Sequence, residues 1–173
     1  MRPIWAEINL DSVKHNCKEI KKFVGEDVKI MAIIKANGYG HGALALSKEI
    51  ESSVDMFGVA ILEEALSLRE GGITYPILVL GFTSLEDYPV LLQQNIAQTI
   101  YDFAQAEELS KVAVKLNKTA KVHIKIDTGM NRLGFRDNDK TLEIIKKILQ
   151  FPNIEIEGVF SHIANGGCKN IRY

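Results

Sequence analysis

A lysine followed at once by a glycine-rich turn is the first candidate for chemistry in this sequence. Lys35 comes directly after the apolar, strand-like run 30–34, and glycines stand at positions 38, 40 and 42. A lysine becomes a nucleophile towards carbonyl carbons when burial disfavours its charged ammonium form. Glycine lets the backbone turn sharply and approach a ligand closely. The segment therefore predicts a Schiff-base lysine at a strand end, although a lone lysine at this place is more often simply solvated.

A second polar turn follows a later strand and contains Lys125, Asp127 and Arg132. By composition alone it is a strand that ends in a turn, in which the aspartate side chain bonds the backbone. His162 ends the last predicted strand, where a histidine is more often a hydrogen-bonded turn residue than a catalyst.

Strand-like and helix-like segments alternate along the chain and position these candidates. Apolar residues at helical spacing behind Asp11, the predicted N-cap, indicate a first helix over 11–24. The predicted strands are 30–34, 57–61, 77–81, 97–101, 120–127 and 154–162. The other predicted helices are 42–51, 62–70, 84–93, the one capped by Asp102, and 139–150. The acidic pair Glu63-Glu64 is interpreted as a solvated helix start, favoured by the helix dipole.

Strict alternation of this kind predicts an α/β fold with parallel strands and crossover helices. Both a doubly wound open sheet and a (β/α)8 barrel satisfy it, and periodicity alone does not choose between them. No G-x-G-x-x-G motif follows the first strand, which weakens the dinucleotide-binding sheet. Functional-looking residues recur at the carboxyl ends of three strands, at Lys35, Lys125 and His162, which favours the barrel.

The composition is that of an ordinary globular protein, with 46% hydrophobic and 25% charged residues among 173 and a formal net charge of −1. This balance gives no support for nucleic-acid or anionic-membrane partners. No apolar run approaches the roughly 18 residues of a membrane span. Glu7 stands where a signal peptide needs apolar residues, and Cys17 and Cys168 form no metal-type cluster. We expect a reduced, cytoplasmic protein without a metal site.

Two longer strings carry a family resemblance. The octet KANGYGHG, from Lys35 to Gly42, and the segment KIDTGMNRLG, from Lys125 to Gly134, resemble signature segments of alanine racemases. These enzymes use pyridoxal 5′-phosphate (PLP) to interconvert L- and D-alanine, and so supply D-alanine for cell-wall peptidoglycan. The resemblance covers about residues 2–164 and implies the N-terminal (β/α)8 TIM barrel of that family.

The resemblance also implies roles for individual residues. Lys35 would carry the PLP cofactor and serve as the catalytic base on one face of the substrate, and Tyr39 would reach the cofactor phosphate. Arg132 would lie beside the phenolic oxygen of the cofactor and help hold the substrate carboxylate. His162 would lie near the cofactor ring. Lys125 matches a lysine that is carbamylated in many family members, which predicts a desolvated amine with a lowered pKa.

Six predicted strands are fewer than the eight of a closed barrel. We therefore expect an incomplete barrel over 1–164, a divergent tail over 165–173 and no C-terminal β domain. In the family, that β domain supplies the second catalytic base from the partner subunit of a homodimer. We accordingly expect little or no racemase activity from this chain alone. Two alternatives stay open, namely a non-catalytic PLP-binding barrel protein and an inactive remnant without a ligand.

Overall fold

The computed structural model describes residues 4–167, which form two compact units that divide after Leu80. Residues 1–3 lie outside this description, as do residues 168–173 with Cys168 and most of the predicted tail. In each unit helices alternate with strands, and neighbouring strands within the unit are parallel. The predicted α/β class is therefore confirmed.

The first unit contains three parallel strands that pair in chain order: β1 (Met31–Ile33), β2 (Met56–Val59) and β3 (Ile77–Val79). Every side chain of β3 is buried, as expected for a parallel strand covered on both faces. The helices of this unit are Leu10–Val24, Ala43–Ile50 and Leu62–Glu70, with a 3-10 turn at Glu51–Ser53.

The predicted N-cap of the first helix is wrong by two residues. The Asn9 Oδ1 accepts a hydrogen bond from the backbone N–H of Ser12 at 2.9 Å, so Asn9 caps the helix. Asp11 lies in the first helical turn, where its charge still favours the helix N-terminus. Asn and Asp cap helices about equally well, and the apolar spacing did not separate the two positions.

The second unit is built around β5 (Ala120–Asp127), which is parallel to β4 (Ala97–Ile100) and to β7 (Ile154–Ser161). A two-residue strand that the sequence did not predict, β6 (Phe135–Arg136), pairs with the last two residues of β5. Its helices are Tyr88–Gln93, Phe103–Leu116 and Asp139–Ile148, with a 3-10 turn at Leu85–Asp87. As predicted, Asp102 caps one of them by accepting hydrogen bonds from Ala104 and Gln105.

Replacing Leu109 by alanine is expected to lower the free energy of unfolding by about 2–5 kcal/mol, because Leu109 is completely buried and its loss leaves a cavity. Leu142, also on a helix of the second unit, is 54% exposed. Leu142→Ala should change stability by at most about 0.5 kcal/mol. Urea denaturation followed by circular dichroism measures both values, and equal losses would contradict the assigned core.

Candidate active site

The chain leaves β1 in a left-handed turn that begins immediately after Lys35. Ala36, Asn37, Gly38 and Tyr39 have φ angles of 52°, 53°, 62° and 54°. The sharp turn predicted from the glycines is therefore confirmed. The left-handed conformation of its non-glycine residues was not foreseen.

The glycine in the middle of this turn is required by packing as well as by its φ angle. Gly38 is buried, and a Cβ atom at this position would lie 2.7 Å from the Leu46 side chain. The N–H of Gly38 donates to the Ile34 carbonyl at 2.8 Å, and the Nδ1 of His41 donates to the Gly38 carbonyl at 2.9 Å. A larger residue would therefore have to move the end of the Leu46 side chain and adopt a left-handed φ that side chains rarely take.

Side chains outside the strand also hold this turn. The Asn37 Oδ1 accepts from the N–H of Ala43 at 2.9 Å, which ties the turn to the following helix. The Glu64 carboxylate accepts from the N–H of Ala36 at 2.6 Å and from the N–H of Ala60 at 2.7 Å. Glu63 and Glu64 lie in the first turn of a helix, as predicted, and Glu63 is exposed. The Glu64 carboxylate differs from the prediction because it bonds two backbone N–H groups.

The side chains of Lys35 and Tyr39 are accessible at this end of β1. Lys35 is half-buried, and its amine forms no hydrogen bond or ion pair with any residue between 4 and 167. Tyr39 is 59% exposed. An amine without a partner and an exposed phenol can both engage a ligand.

The second polar turn is organised around Asp127 at the end of β5. Its Oδ1 accepts from the N–H groups of Gly129 (2.9 Å) and Asn131 (3.1 Å), and its Oδ2 accepts from the N–H of Arg132 (2.7 Å). These hydrogen bonds lower the pKa of Asp127, and the bond from the N–H of Gly129 has the largest effect. A Cβ atom at position 134 would lie only 2.5 Å from the backbone nitrogen of Asp127, and the φ of Gly134 is 137°. Only glycine fits there.

Lys125 lies in β5, two residues before Asp127. It is buried, with 6% of its surface exposed. Its Nζ donates to the Ile126 carbonyl at 3.0 Å and lies 5.3 Å from the ring centroid of Phe160. Desolvation lowers its pKa, and the charge of Arg132 acts in the same direction, whereas Asp127 opposes both. The burial and the lowered pKa predicted for Lys125 are confirmed.

A cleft of about 830 Å³ opens beside the Asp127 turn. Arg132 and Arg136 both line it, together with Thr128, Asn138 and Ile163. Asp127 and Asp137 line the cleft as well, so its charged lining is balanced. The two guanidinium groups are the part of this lining that can bind a carboxylate or a phosphate. Arg136 was not recognised from the sequence, because it stands outside the motif that singled out Arg132.

The candidate residues are divided between the two units. The first unit contains Lys35 and Tyr39, and the second brings Lys125 and Arg132 together around Asp127. His162 follows β7, is exposed, and makes no hydrogen bond with another described residue.

Two further findings concern residues 4–167. Within this range no group of three or more His, Cys, Asp or Glu side chains is placed to hold a metal ion. Over the same range no helix combines the length and the apolar character needed to cross a bilayer.

Known proteins match this chain over nearly all of its length. The family described as alanine racemase, N-terminal domain, matches residues 8–170. The chain belongs to this family. An alanine racemase from Methanococcus maripaludis is 45% identical over 172 residues, which are 99% of this chain and 46% of that protein. The chain thus spans less than half the length of the curated relatives it matches.

Solved structures of racemases share the fold. Alanine racemase from Clostridium difficile 630 matches with a TM-score of 0.91 and 40% identity, over 95% of this chain and 44% of its own. A histidine racemase from Leuconostoc mesenteroides matches with a TM-score of 0.85 and 28% identity, over 94% of this chain and 44% of its own. The expected fold, part of the TIM-like (β/α)8 barrel of the family's N-terminal domain, is confirmed.

Lys125→Met is expected to raise the free energy of unfolding at pH 7, because it removes a buried charge while keeping the side-chain volume. With a lowered pKa in the folded state, Lys125 binds fewer protons there than in the unfolded chain, so its penalty fades as pH rises towards about 10.4. The gain from the substitution should shrink over the same range. Denaturant titrations of both proteins between pH 7 and pH 10 measure this difference in the free energy of unfolding.

Lys121→Met is the matched control on the same strand. The hydrogen bond from Lys121 to Glu157, at 2.6 Å, raises the pKa of this lysine. Its contribution is therefore stabilising below the unfolded pKa and is lost as pH rises through the folded one. Lys121→Met should lower stability slightly at pH 7, since the pair is partly exposed. A change of the same sign in both variants would contradict the assigned environments.

Proposed function

We propose that this chain is the N-terminal barrel part of a PLP-dependent alanine racemase, which interconverts L- and D-alanine and supplies D-alanine for peptidoglycan. The observation that carries the proposal is the lysine at the end of β1, whose amine is left without a partner among residues 4–167. The names of the matched relatives support it.

The candidate side chains suit PLP in their chemistry. An accessible amine suits the cofactor aldehyde, and a phenol and a guanidinium suit its anionic oxygens. When bound, PLP supplies an electron sink for the charge that develops at the substrate Cα. In this proposal Lys35 holds the cofactor and, as a base, moves the proton at Cα on one face. Tyr39 donates to the phosphate, Arg132 holds the substrate carboxylate and His162 lies near the cofactor ring.

We assign Lys125 a supporting role as a carbamate. Carbamylation requires the neutral amine, and desolvation lowers the pKa of Lys125 and so favours that form. The ammonium group first loses one proton to give the neutral amine, and carbon dioxide then adds to the amine nitrogen with release of a second proton. A cation is thereby replaced by an anion. The anion would attract Arg132, whereas the ammonium group repels it.

We propose alanine as the substrate because the chain is 45% identical to an alanine racemase and 28% identical to the histidine racemase. The full-length protein is assigned as a cytoplasmic homodimer, as its family resemblance implies. The second catalytic base of the family belongs to its β domain. The chain by itself is therefore expected to bind PLP and to show little turnover.

Borohydride reduction of the chain after incubation with PLP is expected to fix a pyridoxyl group on Lys35, because reduction traps a cofactor held by an amine. Peptide mapping by mass spectrometry locates the label. Lys35→Ala should abolish it, whereas Lys29→Ala, which replaces an exposed lysine just before β1, should retain it. A label on another residue of a folded sample would refute the assignment, and no label at all would favour the inactive remnant.

A further inference from the structure

The Glu64 carboxylate bridges the chain at the ends of two neighbouring strands. Its Oε1 accepts a hydrogen bond from the N–H of Ala36, and its Oε2 accepts one from the N–H of Ala60. Ala36 follows β1 and Ala60 follows β2, and these strands pair in parallel. Each oxygen therefore fixes the exit of one strand at the same edge of the sheet.

Helix capping accounts for only one of these bonds. Glu64 is the third residue of the helix Leu62–Glu70, and an acidic residue there commonly reaches back to an N–H group that precedes the helix. The bond to Ala60, which lies one residue before the N-cap Ile61, is similar to this pattern. The bond to Ala36 spans 28 residues of sequence, and the helix does not require it. The N–H that donates this bond belongs to the peptide group that joins Lys35 to Ala36.

This peptide group is the point at which the chain enters the left-handed turn. Its orientation sets ψ of Lys35 and φ of Ala36, and Ala36 has a φ of 52°. In that conformation the Cβ of an alanine crowds the following carbonyl oxygen, a cost that glycine does not have. Ala36 therefore needs an external partner to stay left-handed, and Glu64 is the side chain that contacts its N–H.

We propose that Glu64 is a positioning residue for Lys35, acting by holding the Lys35–Ala36 peptide group in the left-handed turn. The inference rests on the proposed function, in which Lys35 holds PLP. Glu64 acts on the backbone behind the lysine, so it directs the Lys35 side chain without touching the ligand.

Glu64→Gln in the full 173-residue chain tests this, because the single carbonyl oxygen of glutamine cannot accept from both N–H groups. We expect it to keep the bond to Ala60, which is only four residues away, and to lose the bond to Ala36. We expect exchange of the Ala36 amide hydrogen, followed by NMR, to accelerate about 10-fold or more, the value for losing a hydrogen bond to a charged group. At a fixed PLP concentration, borohydride labelling of Lys35 should fall by a similar factor of about 10. Glu63→Gln is the control, since it removes an equal charge from an exposed neighbour on the same helix.

A second variant separates positioning from general damage to the helix. Glycine adopts left-handed angles without a Cβ clash, so Ala36→Gly added to Glu64→Gln should recover part of the Lys35 labelling. Loss of a helix cap would not be repaired by a change at residue 36. Circular dichroism of each variant verifies that it is folded.

The outcomes distinguish the two proposals. If Glu64→Gln matches Glu63→Gln in both exchange and labelling, the role of Glu64 is refuted. No recovery in the double variant would refute its action through Ala36. If the unsubstituted chain carries no label on Lys35, the proposed function fails instead, and the exchange rate of the Ala36 amide still decides whether Glu64 holds the turn.

Discussion

Backbone strain in the turn after β1 is the constraint on which the position of Lys35 depends. Ala36, Asn37 and Tyr39 are left-handed without being glycine, at a cost of roughly 1–2 kcal/mol for each residue. Such a turn persists only where the surroundings over-determine it. Three kinds of contact hold the turn in this conformation. They are the pairing of β1 with β2, the packing of Gly38 on Leu46 and the hydrogen bonds of side chains outside β1.

The same physical device recurs in the second unit in a local form. The Asp127 carboxylate accepts three backbone N–H groups of the turn that follows it, whereas Glu64 reaches the turn after β1 from a helix distant in sequence. In both cases an acidic side chain replaces the backbone partners that a turn lacks. The chain thereby fixes the segments that follow its two strand-end lysines without extending a strand or a helix.

The periodic parts of this structure could be predicted from sequence, and the strained parts could not. Long stretches such as β5 and the helix Leu10–Val24 carry an apolar spacing that indicates their type. The two residues of β6 are too few to show any period. The glycines predicted a turn after Lys35, but no feature of the neighbouring sequence indicated that Ala36 and Tyr39 would be left-handed. The contact that holds Ala36 comes from Glu64, and local patterns contain no information about such a distant partner.

Access separates two lysines that the sequence presents in equivalent positions. Both lie within two residues of the end of a parallel strand. Lys35 is half-buried without a partner among the described residues, whereas Lys125 is covered and bonds the backbone beside the Phe160 ring. A cofactor the size of PLP needs access to the amine that it meets, and Lys35 is the more accessible of the two lysines. Lys125 admits at most a small reagent, and its desolvation favours the neutral form that such a reagent requires. What covers an amine therefore determines which chemistry it can perform, more than its place at the end of a strand.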